Sequence, residues 1–490
     1  MDDSSSSSSL APLLEEGKEN EEKGVLGVTE RSFLRDTCEE LRMLWYIAGP
    51  AILTSLFQYS LASVTQTLVG HIGTVELAAV GIQNLVVAGV SFGIMLGMGS
   101  ALETLCGQAF GAGELSMLGI YMQRSWVILS FTALFLSLFY IFSTPILKLI
   151  GTSDEISNMA GQFSIWMIPE LFAFAINFPM QKFLQAQSKV MAMAWISAAA
   201  LVLHLFLSWL CIIKLGLGLV GAAVTLNFSW VVLVVGQLVY IMGGSCKDSW
   251  TGFSWSAFTN LAGFFWLSLA SAVMLCLEYW TLMIVILLAG MLKNPEIAVD
   301  AATIGMNVEG WCFMIPLGFL AAISVRVSNE LGAGRPNAAK FSVLIVVMLS
   351  VIIQTAFMVI ILLTRNDFPV IFTDNELVMK KVTKITPFLC VSIFLGSIQP
   401  VLSGVAVGAG WQATVAYVNL GCYYLVGLTS AILMGLKFNL DLEGIWGGIL
   451  LGILLQTIVL LIITLRTDWE REAALAKERI LNWGGSSSKT

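Results

Sequence analysis

Apolar residues in this chain gather into long runs separated by short polar breaks. The runs have membrane-spanning length, because about 20 apolar helical residues cross a hydrocarbon core roughly 30 Å thick. Twelve spans are predicted, near 45–68, 76–103, 119–144, 160–184, 190–213, 217–243, 263–289, 299–327, 341–364, 383–407, 412–435 and 443–465. The flanks have a different texture. Residues 1–44 carry "SSSSSS" and a Glu/Lys-rich stretch, which predicts a disordered cytosolic tail. Within it, "APLLEE" sets a dileucine beside acids, a candidate sorting address. No cleavable signal peptide is predicted, since the first long apolar run begins near Leu44. Residues 244–262 are expected to link spans six and seven, and 466–490 to form a cytosolic C-terminal tail.

The second half repeats the first. "GMGSALETLCGQAFGAG" begins at Gly97, and "GFLAAISVRVSNELGAG" begins at Gly318, 221 positions later. The two align without a gap and share Gly97/Gly318, Ala101/Ala322 and the closing Gly-Ala-Gly. Trp45/Trp266 and Pro179/Pro400 repeat the same offset. Three separated matches at one offset point to duplication, with lobes at 45–243 and 263–465. Each lobe holds six spans, an even number, so both enter the membrane in the same direction. A solute site is then expected between the halves, and rocking of one against the other suits alternating access. Glycines four apart, Gly89/Gly93/Gly97 in span two and Gly444/Gly448/Gly452 in span twelve, predict smooth stripes for close helix packing. Pro50, Pro169, Pro179, Pro316 and Pro400 fall within or at the ends of spans, where proline kinks a helix and frees a carbonyl.

Composition agrees with the pattern. The chain is 57% hydrophobic and 12% charged, where a soluble protein carries about 25% charged residues. It therefore reads as an all-α polytopic membrane protein, with twelve transmembrane helices in two homologous six-helix lobes. The net charge of −7 carries little information, since much of it sits in the tails. Basic clusters are too few for a nucleic-acid partner. The eight cysteines form no CxxC pair, so neither a metal site nor a disulfide framework is indicated. With both termini cytosolic, 17 of the 25 Lys and Arg lie on the inner side and 8 on the outer, the bias expected of that orientation.

Several motifs fall away in this setting. "GLGLVG" at 216–221 matches a dinucleotide-binding pattern but joins two hydrophobic helices, without the strand that pattern needs. "NFS" at Asn227 matches a glycosylation pattern inside span six. There is no Walker A sequence to support ATP-driven transport, and His71 and His204 have no metal-ligand spacing. His204 reads as a hydrogen-bonded membrane residue.

What remains is a set of carboxylates. A charged side chain at mid-span costs roughly 2.5–3.5 kcal/mol on insertion scales, so such residues mark a pathway, a relay or a ligand site. Glu103 lies toward the cytosolic end of span two, where snorkelling or helix-end hydrogen bonding accounts for it. Glu170 follows Ile168-Pro169 near the outer start of span four and reads as interfacial. Glu309 lies inside span eight beside Asn307 and Gly310. Glu278, in "MLCLEYWTLMIVILLAG", is the most isolated. Its charged form is costly in an apolar setting, which lets a pH gradient act on it as a toggle. The plain alternative is a hydrogen-bonded structural glutamate.

"LETLCGQAFGAG", "QKFLQAQSKV", "SAVMLCLEYW", "AAISVRVSNELGAGRPNAAK", "QPVLSGVAVGAGWQATVAYVNLGCYYLVGL" and "RTDWEREA" occur in this order along the chain. Together they resemble plant multidrug and toxic compound extrusion (MATE) transporters over residues 40 to 485, most of all the branch of vacuolar flavonoid/proton antiporters. The resemblance implies exchange of protons for small organic solutes, no cofactor, and work as a single chain in the lipid bilayer. It implies the vacuolar membrane, with the plasma membrane as the alternative. Glu278 in "CLEYW" matches the family's acidic residue on the seventh helix, which takes part in proton coupling. Many plant relatives add an Asp in the tenth helix, but this chain reads "FLGSIQPVLSG", with Gly396 at or near that place. A two-carboxylate relay across spans seven and ten is therefore not implied, and Glu309 is a candidate to compensate. Solute contacts are expected from the cavity between and within the lobes, at Gln58, Asn84 and Asn177 in the first half and Tyr279, Trp280 and Asn307 in the second. An apolar pocket with a few polar groups suits flat polyphenols. Anion conduction, as in chloride-transporting relatives, is the alternative activity.

Overall fold

In the computed structural model, which describes residues 11–373 and 375–483, every predicted span falls on helix. Numbered in chain order, the spanning helices are α1 (Ala11–Val69), α2 (Thr74–Gly111), α3 (Leu115–Ile141), α4 in two segments (Asp154–Trp166 and Ile168–Ala186), α5 (Val190–Lys214), α6 (Gly218–Ser245), α7 (Leu261–Ala289), α8 (Pro295–Gly332), α9 (Pro336–Leu363), α10 (Glu376–Ala409), α11 (Gln412–Lys437) and α12 (Asp441–Arg466). A shorter helix, α13 (Trp469–Asn482), follows. Among the described residues, eleven are single helices of spanning length, and α4 makes the twelfth as a pair bent by 48°.

The bends have identifiable causes. Pro169 at the start of the second α4 segment offers no N–H to the turn before it. Asn227 of α6 donates to the Trp166 carbonyl at 2.7 Å, replacing part of what the break removes. In α10 the helix stops at Leu395 and restarts at Gln399, with Pro400 next in line. There the Ser397 carbonyl accepts from Ser350 of α9 at 2.7 Å.

The glycine stripes do what their spacing predicts. On α2, a Cβ at Gly97 would sit 2.5 Å from the Ala272 Cα of α7, and at Gly89 2.8 Å from the Met283 side chain. In the last pair, Gly444 approaches the Met434 carbonyl and Gly452 approaches Gly427 of α11 at similar range. Gly318, the duplicate of Gly97, meets Ile52 of α1. Each half thus lays a smooth face on the first helix of the other half, and the two seams α2/α7 and α8/α1 are related by the repeat.

Between these seams α2 and α8 cross. A Cβ on Gly111 would lie 2.8 Å from the Asn329 carbonyl carbon, and one on Gly332 2.7 Å from the Gln108 carbonyl carbon. These are again repeat-related pairs, so the duplicated Gly-Ala-Gly adds a further place where the halves touch backbone to backbone. Gln108 donates to the Gly408 carbonyl at 3.1 Å, and its duplicate Asn329 donates to the Ala186 carbonyl at 3.2 Å. Among the described residues, the hydrogen bonds that tie one half to the other gather at this end of the molecule, the terminal face, which also carries α13 and the first part of α1.

Helix already begins at Ala11, so an irregular tail over 1–44 does not describe residues 11–44. Glu40 is buried and grips Arg326 of α8 through both oxygens at 2.9 and 2.8 Å, while Ser342 of α9 donates to it at 2.6 Å. The "SSSSSS" run, the dileucine side chains and residues 484–490 lie outside the described residues.

Candidate functional site

Glu278 is half-buried on α7 and faces three other helices of its lobe. Ser403 of α10 donates to its Oε1 at 3.0 Å, and Asn419 of α11 donates to the same oxygen at 3.1 Å. Behind them stands a second row. Gln399 donates to the Ser403 hydroxyl at 3.2 Å, and Gln456 of α12 donates to Asn419 Oδ1 at 3.2 Å. Asn419 also reaches the Met274 carbonyl at 3.1 Å. The carboxylate is therefore the front end of a polar chain through α7, α10, α11 and α12. Both donors share one oxygen, leaving the other able to take a proton without displacing either bond.

Glu309, on α8, sits on the other side of the α10 break. Its Oε1 accepts from the Ser392 hydroxyl. Gly396 lies one turn beyond Ser392, at the end of the first α10 segment. One carboxylate thus touches α10 before its interruption and the other after it.

The expected solute contacts divide. Tyr279 and Trp280 are half-buried beside Glu278 on α7, and Asn307 is exposed on α8, one turn from the exposed Trp311. Trp311 meets Tyr59 of α1 edge-on at 6.2 Å, so this stretch of α8 borders the seam between the halves. In the first half Gln58 donates weakly to Ser197 of α5 at 3.4 Å. Asn84 lies half-buried in a π-helical turn of α2. Asn177 is fully buried and accepts from Gln237 at 2.8 Å, so a solute in the seam does not reach it in this conformation.

Other acids are placed differently from their sequence reading. Glu103 does not snorkel; it is buried, ion-paired with Lys182 of α4, and accepts from Ser324 of α8 at 2.7 Å. Glu170 is buried rather than interfacial. His204 is held by Thr65, Ser229 and Ser208, with Thr65 at 3.0 Å and Ser229 at 2.8 Å. Ser403, Asn419, Gln399, Gln456 and Ser392 were not singled out from sequence. Each is one of several uncharged polar residues in a largely apolar run, and nothing in the sequence sets it apart from the others.

Comparison with known proteins gives the same architecture. The MatE family model matches twice, at residues 50–210 and 270–433, once in each half. Protein DETOXIFICATION 29 of Arabidopsis thaliana is 57% identical over 461 residues, covering 94% of this chain and 92% of that protein. Protein DETOXIFICATION 33 of the same plant is 53% identical over 478 residues, covering 98% and 99%. The crystal structure of the eukaryotic MATE transporter AtDTX14 superposes with a TM-score of 0.87 at 34% identity, covering 91% of this chain and all of that one.

Proposed function

Because this chain belongs to the MATE family of membrane transporters, we propose that it exchanges protons for amphipathic organic solutes, flavonoid glycosides foremost, across the vacuolar membrane. The terminal face is cytosolic in this reading, and the interlobe cavity opens to the lumen when that face is closed. The units that rock are the lobes 45–243 and 263–465, joined by the linker 244–262, and one chain suffices.

A single observation carries the coupling: Glu278 draws Ser403, Asn419 and, through them, Gln399 and Gln456 onto one carboxylate across four helices. A proton on Oε2 removes the charge that strengthens the Ser403 and Asn419 bonds to Oε1, and so alters how α7 sits on the broken α10. Each pH unit supplies about 1.4 kcal/mol per proton. That suffices to bias two states which differ in how well they hold the protonated acid. Glu309 on Ser392 supplies a second acid at the same bend. Tyr279, Trp280 and Asn307 contact the solute, with Gln58 and Asn84 across the seam.

The test is uptake of a flavonoid glycoside into sealed vesicles with and without a pH gradient. Glu278→Gln keeps the shape and removes the titration. It is expected to insert at normal abundance, bind solute, and lose pH-driven accumulation, whereas Glu278→Asp keeps part of it. Wild-type accumulation by the Gln variant sinks the assignment. Membrane current with no organic solute present points instead to anion conduction.

A further inference from the structure

Helix α13 is tied to both halves across the terminal face. It follows α12 and packs on its own half, where Trp411 donates to Glu472 at 3.0 Å and its ring meets that of Trp469 at a tilt, 6.1 Å between centroids. Asp468 caps its first turn through the Glu470 and Arg471 amides. From this base Arg479 reaches across. Its Nη1 donates to Gln108 Oε1 of α2 at 2.8 Å, and to the Ala409 carbonyl at the end of α10 at 3.4 Å. Gln108 is the residue whose amide already closes α2 onto Gly408. Room is kept for the guanidinium, since a Cβ on Gly410 would fall 2.7 Å from it. Four residues on, Arg124 of α3 donates to the Trp483 carbonyl at 3.4 Å, and the Trp483 ring meets Phe264 of α7 edge-on at 6.0 Å. Burial draws the Arg479 guanidinium below its usual range, against the pull of Glu472.

We infer that α13 is a latch on the terminal face and that Arg479, acting through Gln108, is a positioning residue that sets the balance between closed and open seam. Gln108 and Arg124 move with the first half, while Ala409 and α13 move with the second. Parting the halves at this face must therefore break Arg479–Gln108 and Arg124–Trp483. A latch made of one guanidinium and a few carbonyl contacts holds the face shut but yields within a transport cycle. The inference rests on the alternating-access reading, and its test does not depend on which solute is carried.

The test is hydrogen–deuterium exchange on the full chain in lipid nanodiscs with no solute added. Arg479→Ala is expected to speed exchange about threefold or more in peptides covering 104–112 and 325–335, with α5 and α9 unchanged. Arg479→Lys should restore most of the protection. Gln108→Leu, which leaves α13 whole, should reproduce the opening, and adding Arg479→Ala to it should change little, since the Arg479–Gln108 bond is already gone. In vesicles that transport, Arg479→Ala should lower KM for solute offered at the terminal face while lowering kcat. Unchanged exchange in both peptides overturns the latch, as does an equal rise over α5 and α9. Normal protection in Gln108→Leu overturns it as well.

Discussion

Gly111→Ala asks how closely α2 and α8 must meet for the terminal face to close. The new methyl would lie 2.8 Å from the Asn329 carbonyl carbon and 2.9 Å from the Ala333 nitrogen, where ordinary contact begins at 3.4 Å. Both neighbours are backbone, so no side chain can swing aside. The Asn329 carbonyl oxygen lies closer still, so the helices must separate by on the order of 1 Å or carry an overpacking penalty of about 1–3 kcal/mol. A transporter has a third course, which is to spend less time closed. A penalty of about 2 kcal/mol lowers the closed-to-open ratio roughly 30-fold. Gly332→Ala should act the same way, with its methyl 2.7 Å from the Gln108 carbonyl carbon. The double variant should fall well short of the sum, because one opened crossing accommodates both methyls. The assay is a pulsed electron paramagnetic resonance distance between spin labels at Ser116 and Asn337, both exposed at the starts of α3 and α9. Gly421→Ala, with open space around its Cβ, is the control. A distance distribution in Gly111→Ala that matches wild type at normal abundance refutes the close crossing.

Lys182→Met should sharply reduce folded protein, because it strands a buried Glu103 at a cost of about 3–5 kcal/mol. Adding Glu103→Gln should recover most of the loss, read as abundance and thermal midpoint in detergent. Asn419→Ala removes donors to Glu278 and to the Met274 carbonyl and leaves the Gln456 amide without its acceptor; a loss of about 1–3 kcal/mol in stability is expected, together with an altered pH profile of uptake. Ser392→Ala should weaken pH-driven accumulation in wild type yet have little effect in Glu309→Gln, since the two side chains act through one bond. Equal loss in both backgrounds removes Glu309 from the coupling. Gly448→Leu should cost abundance before activity, because Gly448 packs against the backbone at Ala431.

The bilayer made the fold legible. A hydrocarbon slab demands long apolar helices, so run length alone located every span, including α4, whose break at Met167 was marked by Pro169. The repeat went further. The duplicated Gly-Ala-Gly, visible only as a motif match, turns out to be one of the places where the halves touch backbone to backbone. Glu278 stood out because its isolation is costly in lipid. Its partners did not, since Ser403, Asn419 and Gln456 are single polar residues on separate helices, and only packing gathers them. For Glu103 the snorkelling alternative fails for the same reason, while hydrogen bonding holds. Its nearness to a span end suggested escape to water, while Lys182, which neutralises it, lies on another helix. The role of α13 was hidden because an amphipathic segment beyond the last apolar run looks like any solvated tail until its surroundings are seen.

Glu103 and Ser324 are bonded to each other and are also each other's duplicates, 221 positions apart. Gly107 and Ser328, at the same offset, also face one another. In a pair of identical subunits, a residue on the two-fold axis meets its own copy. A glutamate there would confront a glutamate, two like charges in a dry seam. Fusing the halves into one chain lifts that constraint. One half keeps the acid, the other offers a hydroxyl, and Lys182 supplies a single counter-charge. The molecule thus retains the geometry of a symmetric dimer at this crossing while using chemistry that a symmetric dimer is denied.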